Sequence, residues 1–193
     1  IFDFYVSQFC GGKLVSVEES ALSDCERLMR ILVENRCTVW FSVPSLLILA
    51  LVRRALSPKV LSGFRLIIFG GEAFPMAHLR KLSSITSPRT RMVNVYGPSE
   101  CTCICSAKIL ADQDISQLEP WPLIATPPPH FSWSLENRDS DGVGELVLRG
   151  EQVGIGYLGY PESANSPFSG EPGQISRTYN TGDLFVLTEP ESL

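Results

Sequence analysis

The sequence predicts an α/β fold: a parallel sheet covered by helices on both faces, followed by a smaller β-rich lobe. Over the first half of the chain, short apolar runs alternate with amphipathic helical segments, a pattern typical of parallel sheets buried on both faces. After about residue 106 the sequence changes to prolines, turn clusters and short strand-like stretches. We therefore assign residues 1–106 to the α/β part of the core and residues 107–193 to the β-rich lobe.

Three helices and three strands are expected in the α/β part. Some segments carry apolar residues at helical spacing, whereas others are short apolar runs rich in aromatic and β-branched residues. Pro44 and Pro75 each suit the first turn of a helix. The expected helices are residues 22–35, 44–56 and 75–84, and the expected strands are residues 37–43, 64–69 and 92–96. Because ligands bind at the carboxyl ends of parallel strands, the turns after residues 69 and 96 are expected at one rim of the sheet.

The second part of the chain carries the signals of a β-rich lobe. Residues 119–129 are rich in proline, which favours an extended chain, and residues 137–144 form a turn cluster. Residues 145–149 and 152–157 are interpreted as a pair of strands with Gly150 between them.

Composition argues against several function classes. The 193 residues are 44% apolar and 19% charged, which is enough to bury a core. A net charge of −5 without a basic block argues against a nucleic-acid partner. No apolar run reaches the roughly 18–20 residues that cross a bilayer, so no membrane association is expected. The chain has no signal-peptide pattern and begins with Ile1 rather than Met, so we expect its natural start upstream. His78 and His130 have no neighbouring nucleophile in a recognisable arrangement, so a hydrolase triad is not supported.

The six cysteines favour structural packing over metal or redox chemistry. There is no C-x-x-C pair, and the chain is too rich in core residues for a disulfide scaffold. Cys101, Cys103 and Cys105 alternate, so a strand would place all three on one face. We interpret them as small buried side chains and expect the reduced cysteines of a cytoplasmic protein.

Residues 94–100 contain the most informative motif. A strand leads into a turn at Gly97-Pro98, which presents the hydroxyl of Ser99 and the carboxylate of Glu100. Mg²⁺ binds one or two protein carboxylates and completes its shell with water and nucleotide phosphates. Tyr96 offers an aromatic face for a nucleobase. The alternative is a hairpin turn with a surface glutamate.

Five further stretches accompany this motif. Phe2-Asp3-Phe4-Tyr5-Val6 places a carboxylate among aromatic residues, and Gly70-Gly71-Glu72 ends a strand where backbone can approach a flat ligand closely. Gly144-Glu145-Leu146 and the segment 154–158 bracket the expected strand pair. Residues 179–184 are interpreted as a turn that ends in Asp183, a carboxylate able to bind two ribose hydroxyls.

In this order, the motifs resemble those of adenylate-forming enzymes, in particular amino-acid adenylation domains of nonribosomal peptide synthetases and D-alanine-activating ligases. The resemblance covers residues 2–184. It implies an enzyme that forms an aminoacyl-AMP from ATP and an amino acid with Mg²⁺, releasing pyrophosphate. The acyl group would then pass to the phosphopantetheine thiol of a carrier-protein partner.

The resemblance also implies roles for individual residues. Asp3 would pair with the substrate α-ammonium, since a carboxylate among aromatic side chains is costly without a cation; the alternative is a surface aspartate at a helix start. The nucleotide would be bound by Gly70, Gly71 and Glu72 along the adenine, Asn94 near its edge, Tyr96 stacked on it, Ser99 at the α-phosphate and Asp183 at the ribose, with Glu100 holding Mg²⁺. The side-chain pocket would be lined by Phe4, Ser7, Phe41, Ile68, Gly70, Val95, Cys103 and Ile104. This apolar pocket predicts a small to medium uncharged amino acid.

The chain departs from the family pattern at several points. The phosphate loop of the family is expected before residue 1, and the C-terminal lobe with its lysine is expected after residue 193, so we expect the chain alone to be nearly inactive. Ser99 stands where Thr is commoner, and Ala125 stands where Gly is usual before Pro127. Two alternatives remain: an acyl- or aryl-CoA ligase of the same fold, in which Asp3 would have no ammonium to pair with, and a non-catalytic nucleotide-binding remnant.

Overall fold

A computed structural model describes residues 2–116, 122–129 and 131–188. His130 and part of the proline-rich stretch 119–129 lie outside these ranges. The chain divides into two compact units, one formed by Ile1–Asn94 with Ile109–Pro122 and the other by Val95–Lys108 with Leu123–Leu193. The boundary between Asn94 and Val95 falls within the strand Arg91–Tyr96. The assignment of residues 107–193 to a separate lobe stays a prediction.

The first sheet is built from strands alternating with helices. The elements in chain order are α1 (Phe2–Phe9), α2 (Glu19–Leu22), α3 (Cys25–Glu34), β1 (Val39–Ser42), α4 (Pro44–Val52), α5 (Pro58–Leu61), β2 (Leu66–Gly70), α6 (Met76–Ile85), β3 (Arg91–Tyr96), β4 (Ser106–Ile109) and α7 (Asp112–Ser116). The sheet has the order β1-β2-β3-β4, and β1 runs parallel to β2 with Val39 opposite Leu66. The predicted α/β architecture is confirmed, and its sheet contains the predicted parallel pairing in β1 and β2.

Local sequence explains where the helices begin. The Asp24 side chain accepts a hydrogen bond from the Arg27 backbone N–H at 3.0 Å, so α3 begins after Asp24 rather than at residue 22. Pro44 occupies the first turn of α4 as predicted, and α4 ends at Val52, four residues before the predicted end at 56. The core of the first unit is packed from fully buried apolar side chains that include Leu47 and Phe69.

The second unit contains an antiparallel sheet. Its strands are β5 (Ser132–Glu136), β6 (Gly144–Arg149), β7 (Phe168–Ser169) and β8 (Thr178–Phe185), in the order β5-β6-β8-β7. Leu146 and Leu148 of β6 are fully buried in a core that also contains Cys101 and Tyr179. The predicted β-rich character of this part of the chain is therefore present in the antiparallel sheet.

Three local predictions in the second unit were wrong. Residues 152–157 do not pair with β6, because β5 and β8 occupy its two edges. The three alternating cysteines are not on a strand, because Ser99–Cys101 is a 3₁₀ turn and Thr102 and Cys103 have φ values of 62° and 78°. Residues 179–184 are not a turn but part of β8. In each case the local residue pattern is typical of the predicted strand or turn, but the strand pairing or the backbone conformation of the folded chain produces a different structure.

None of the helices in the described ranges combines the length and the apolar composition that crossing a bilayer requires.

The six cysteines are free thiols, and the predicted burial holds for Cys101 and Cys105 but not for Cys103, which is half-buried. Cys101 and Cys105 are 0% and 1% exposed, and burial raises the pKa of each thiol to about 12. At pH 8 the reactive thiolate would then be about one part in ten thousand at each site. We expect iodoacetamide to leave both unlabelled in the native full-length protein and to label both after denaturation in urea, as measured by peptide mass spectrometry. Rapid native labelling of either thiol would contradict this packing.

Candidate functional site

The loop that follows β3 is closed by backbone contacts within the second unit. After Tyr96 the chain turns through the 3₁₀ segment Ser99–Cys101 and returns, so that the Cys105 N–H donates to the Tyr96 carbonyl at 2.9 Å. Gly97 lies directly against the Cys103 carbonyl, and a Cβ at Gly97 would overlap that backbone group. Glycine is thus required by close approach at this position, three residues before Glu100.

We expect Gly97→Ala to destabilise the protein by about 1–3 kcal/mol, because the added methyl group forces a backbone shift. Gly63→Ala is the matched control, since a Cβ at Gly63 would meet only the Cys37 carbonyl at an ordinary contact distance of 3.8 Å. Thermal unfolding measures the difference, with a decrease in Tm of about 2–4 °C per kcal/mol. Equal Tm values for the two variants would show that the loop adapts.

Glu100 is held by a tyrosine distant in sequence. The Tyr157 hydroxyl donates to Glu100 Oε1 at 2.5 Å, and the Gly154 N–H donates to the Glu100 carbonyl oxygen at 2.7 Å. The hydrogen bond to Glu100 is the main reason that the pKa of Tyr157 is raised, so the phenol remains a donor at neutral pH. Within the described part of the chain, Glu100 Oε2 accepts no hydrogen bond. The second carboxylate oxygen is therefore available to a ligand.

A second tyrosine–carboxylate pair joins two residues predicted to bind the nucleotide. The Tyr96 hydroxyl donates to Asp183 Oδ2 at 2.6 Å. The Tyr96 ring packs edge-on against Phe185 with centroids 5.2 Å apart. Burial, followed by the hydrogen bond to Asp183, raises the pKa of Tyr96 above its ordinary value. Tyr96 is thus a fixed donor to an exposed carboxylate.

Asp183 is presented by an irregularity in β8. Opposite β6, the chain of β8 advances from Asn180 to Leu184 while β6 moves only from Val147 to Glu145. The extra residues form a bulge in which Gly182 has a φ of 74°. Bulges of this kind redirect a side chain and are frequent beside active sites. The predicted ribose-binding carboxylate therefore lies on a bulged strand rather than on a free turn.

In the first unit, the Gly70-Gly71-Glu72 segment follows β2 directly. Gly70 is buried at the end of the strand, and Gly71 has a φ of 84°. The Glu72 carboxylate accepts hydrogen bonds from the Ser45 N–H at 3.1 Å and the Ser45 hydroxyl at 3.2 Å. Glu72 thus contacts the first turn of α4, where the helix dipole favours a negative charge. Its predicted role along the adenine stays a prediction.

Asp3 lies in the first turn of α1 and is exposed. Phe4 is also 54% exposed, while Phe2 packs edge-on against Phe41 with ring centroids 5.1 Å apart. Asp3 is therefore a solvated carboxylate and not the desolvated one expected from its aromatic neighbours, and its position agrees with the alternative of a surface aspartate at a helix start. Ser7 donates its hydroxyl hydrogen bond to the Phe4 carbonyl within the same helix at 2.9 Å. Pairing of Asp3 with a substrate ammonium stays a prediction.

The remaining predicted site residues differ in exposure. Ile68, Asn94 and Val95 are less than 10% exposed, whereas Cys103 and Ile104 are half-buried and Ser99 is exposed. Residues of the predicted amino-acid pocket belong to both compact units. That pocket accordingly stays a prediction.

Two residues with clear structural contacts received no role from the sequence. Tyr157 binds Glu100, and the Glu145 carboxylate accepts a hydrogen bond from the Gly182 N–H at 3.0 Å. Both belong to motifs that the sequence marks, Gly-Glu-Leu and Gly-Tyr-Leu. Their partners are 57 and 37 residues away, so no local pattern identifies the contact.

Comparison with known proteins defines the class of this chain. Residues 1–158 match the AMP-binding enzyme family. The match covers most of the chain, and the chain therefore belongs to the family of AMP-binding enzymes. The resemblance to adenylate-forming enzymes predicted from the motifs is confirmed.

Several individual proteins are similar to this chain in sequence or in structure. The chain is 32% identical to the L-proline--(L-prolyl-carrier protein) ligase of Streptomyces coelicolor, with 97% of this chain and 35% of that protein covered. It is 28% identical to the D-alanine--D-alanyl carrier protein ligase of Bacillus cereus, with 95% of this chain and 36% of that protein covered. Among solved structures, PA1221, an NRPS protein containing adenylation and PCP domains, superposes with a TM-score of 0.71 at 27% identity, covering 88% of this chain and 34% of that one. The chain spans about a third of the length of these curated relatives.

Proposed function

We propose that the protein containing this chain activates an uncharged amino acid with ATP and transfers it to a carrier protein. The observation that carries the proposal is the pair of carboxylates, Glu100 and Asp183, each fixed by a tyrosine within one compact unit. Both carboxylates belong to motif blocks of the adenylate-forming family. The relatives described above are ligases for carrier proteins by name, which supports the transfer step.

In this proposal, Asp183 and Tyr96 act on the nucleoside part of ATP. Asp183 is exposed and its carboxylate can accept hydrogen bonds from the ribose hydroxyls. Tyr96 holds Asp183 in place through its own hydroxyl and offers its ring to the adenine. Ser99 is exposed at the start of the 3₁₀ turn, where its hydroxyl can donate to the α-phosphate.

Glu100 suits a magnesium ion bound together with ATP. Mg²⁺ needs only one or two protein carboxylates when phosphates and water supply its other ligands. Glu100 Oε2 is available for this, and the described residues contain no cluster of three or more His, Cys, Asp or Glu side chains able to hold a metal by themselves. When bound, Mg²⁺ would offset negative charge on the phosphates. Tyr157 would keep Glu100 oriented towards it.

The proposed reaction has two steps, formation of an aminoacyl-AMP and transfer of the acyl group to the carrier thiol. A carboxylate oxygen of the amino acid attacks the α-phosphorus of ATP, and the bond from that phosphorus to the bridging oxygen breaks, so that pyrophosphate leaves with the bonding electron pair. The phosphopantetheine thiol of the carrier then attacks the acyl carbon, with loss of its proton, and AMP leaves. Asp3 would bind the α-ammonium throughout, and the apolar pocket would select an uncharged side chain.

The alternative within the same fold is an acyl- or aryl-CoA ligase. Its substrate has no ammonium group, so Asp3 would have no cationic partner. The names of the relatives favour an amino-acid substrate. We further propose that the chain alone is nearly inactive, because the relatives are about three times as long and each missing electrostatic group commonly costs about 10²–10³-fold in rate.

Amino-acid-dependent ATP–pyrophosphate exchange tests the proposal. The full-length protein and the 193-residue chain would be assayed in parallel against both uncharged and charged amino acids. Exchange by the full-length protein with an uncharged amino acid, and none by the chain, is the expected result. No exchange with any amino acid, combined with acyl-CoA formation from fatty or aryl acids, would establish the alternative. Absence of both activities would support the alternative that the protein is a non-catalytic nucleotide-binding remnant.

A further inference from the structure

The bulge in β8 is held together by a carboxylate from the neighbouring strand. Glu145 lies opposite Leu184 in the register of β6 and β8, one residue beyond Asp183. Its Oε1 accepts a hydrogen bond from the Gly182 N–H at 3.0 Å, and its Oε2 accepts one from the Asn180 side-chain amide at 3.4 Å. A single carboxylate therefore binds both the start and the middle of the bulge.

A threonine adds a second set of contacts inside the bulge. The Thr181 hydroxyl donates to the Leu146 carbonyl of β6 at 2.8 Å and accepts a hydrogen bond from the Asp183 N–H at 3.1 Å. Together with Glu145, this hydroxyl binds the backbone N–H groups of Gly182 and Asp183, which the bulge removes from regular pairing. The side chain of Asp183 is then left with Tyr96 as its partner.

The hydrogen bond from the Gly182 N–H to Glu145 is stronger than the one from the Asp183 N–H to the Thr181 hydroxyl. A hydrogen bond from a backbone N–H to an ionised carboxylate is roughly twice as strong as one between neutral groups. It also acts at Gly182, whose φ of 74° sets the direction of the following residue. Loss of this acceptor would leave the Gly182 N–H without a protein acceptor and allow the bulge to relax towards regular pairing.

We propose that Glu145 is a positioning residue that fixes the direction of Asp183 and thereby sets the preference for a nucleotide with ribose hydroxyls. The inference rests on the proposed function, in which Asp183 binds the ribose. Glu145 itself touches no nucleotide in this proposal and acts only through the bulge.

The test compares ATP with 2′-deoxy-ATP and 3′-deoxy-ATP in the pyrophosphate-exchange assay of the full-length protein. The variants are Glu145→Ala, Glu145→Gln and Asp183→Ala, and the ratio of kcat/KM for ATP to that for each analogue is the readout. Glu136→Gln is the matched control, because Glu136 lies directly opposite Glu145 on β5 but binds Arg149 at 2.6 Å instead of the bulge. Thermal unfolding of each variant confirms that it folds.

We expect Asp183→Ala to remove the preference for ATP over the deoxy analogues and Glu145→Ala to reduce it by about tenfold, the value of one charge-assisted hydrogen bond. Glu145→Gln should give a smaller reduction, since its amide oxygen still accepts, and it carries the test if Glu145→Ala does not fold. Glu136→Gln should keep the wild-type ratio.

Three results would overturn the inference, and they can be told apart. If Glu145 variants lower activity equally with all three nucleotides, Glu145 has a structural role only. If Glu136→Gln changes the ratio as much as Glu145→Gln, the effect belongs to the sheet and not to the bulge. If Asp183→Ala leaves the ratio unchanged, Asp183 does not bind the ribose, and the nucleotide assignment in the proposed function fails together with the inference.

Discussion

Asp3→Ala in the full-length protein is expected to abolish amino-acid-dependent ATP–pyrophosphate exchange while ATP binding is preserved. In the proposed function, this variant leaves the substrate α-ammonium without a counter-charge, and removal of one such group commonly lowers the rate by about 10²–10³-fold. Asp3 is exposed in the first turn of α1 and is thus accessible to a substrate. The measurement is exchange activity over a range of amino-acid concentrations, together with the Kd for ATP by calorimetry.

The matched control for Asp3 is Asp112→Ala. Asp112 is also an exposed carboxylate in the first turn of a helix, α7. It should behave as wild type, which separates recognition of the ammonium from a general effect on helix stability. An equal loss of ATP binding and amino-acid activation in Asp3→Ala would contradict the assigned role and return Asp3 to a surface position at a helix start.

Glu100→Gln is expected to lower kcat by about 10²–10³-fold and to raise the Mg²⁺ concentration required for half-maximal exchange. The neutral amide keeps the size of the side chain but removes the charge that Mg²⁺ prefers in its ligands. Titration of Mg²⁺ at saturating ATP measures the effect. Unchanged kinetics would exclude Glu100 as the metal ligand.

Two further variants test whether the hydrogen bond from Tyr157 contributes to the role of Glu100, and whether the effect is specific to that glutamate. Tyr157→Phe keeps the carboxylate but removes the hydroxyl that donates to Oε1, so it should raise the Mg²⁺ requirement with a smaller loss of kcat. Glu151→Gln makes the same chemical change at an exposed glutamate of the second unit and should have no effect. A Tyr157→Phe variant identical to wild type would show that the loop alone orients Glu100.

The sequence by itself determined the elements whose residues carry a local pattern. The apolar run of β2 and the helical spacing of α3 arise because residues close together in sequence are buried on the same strand or the same helix face. A short stretch of sequence is therefore enough to predict each element. Pro44 marks the start of α4 for a reason confined to its own backbone. The family was also determined by the sequence, because its motif blocks are contiguous.

Only the tertiary structure decided how the motif residues meet. Tyr96 and Asp183 are 87 residues apart, and Tyr157 and Glu100 are 57 residues apart, so their hydrogen bonds depend on how distant strands and loops pack. The bulge that presents Asp183 exists because β8 and β6 advance by different numbers of residues, and no property of residues 179–184 alone reveals it. Local sequence fixes conformation over a few residues, whereas strand register is set by the packing of the whole unit, which is why the turn predicted at Asp183 is a bulged strand.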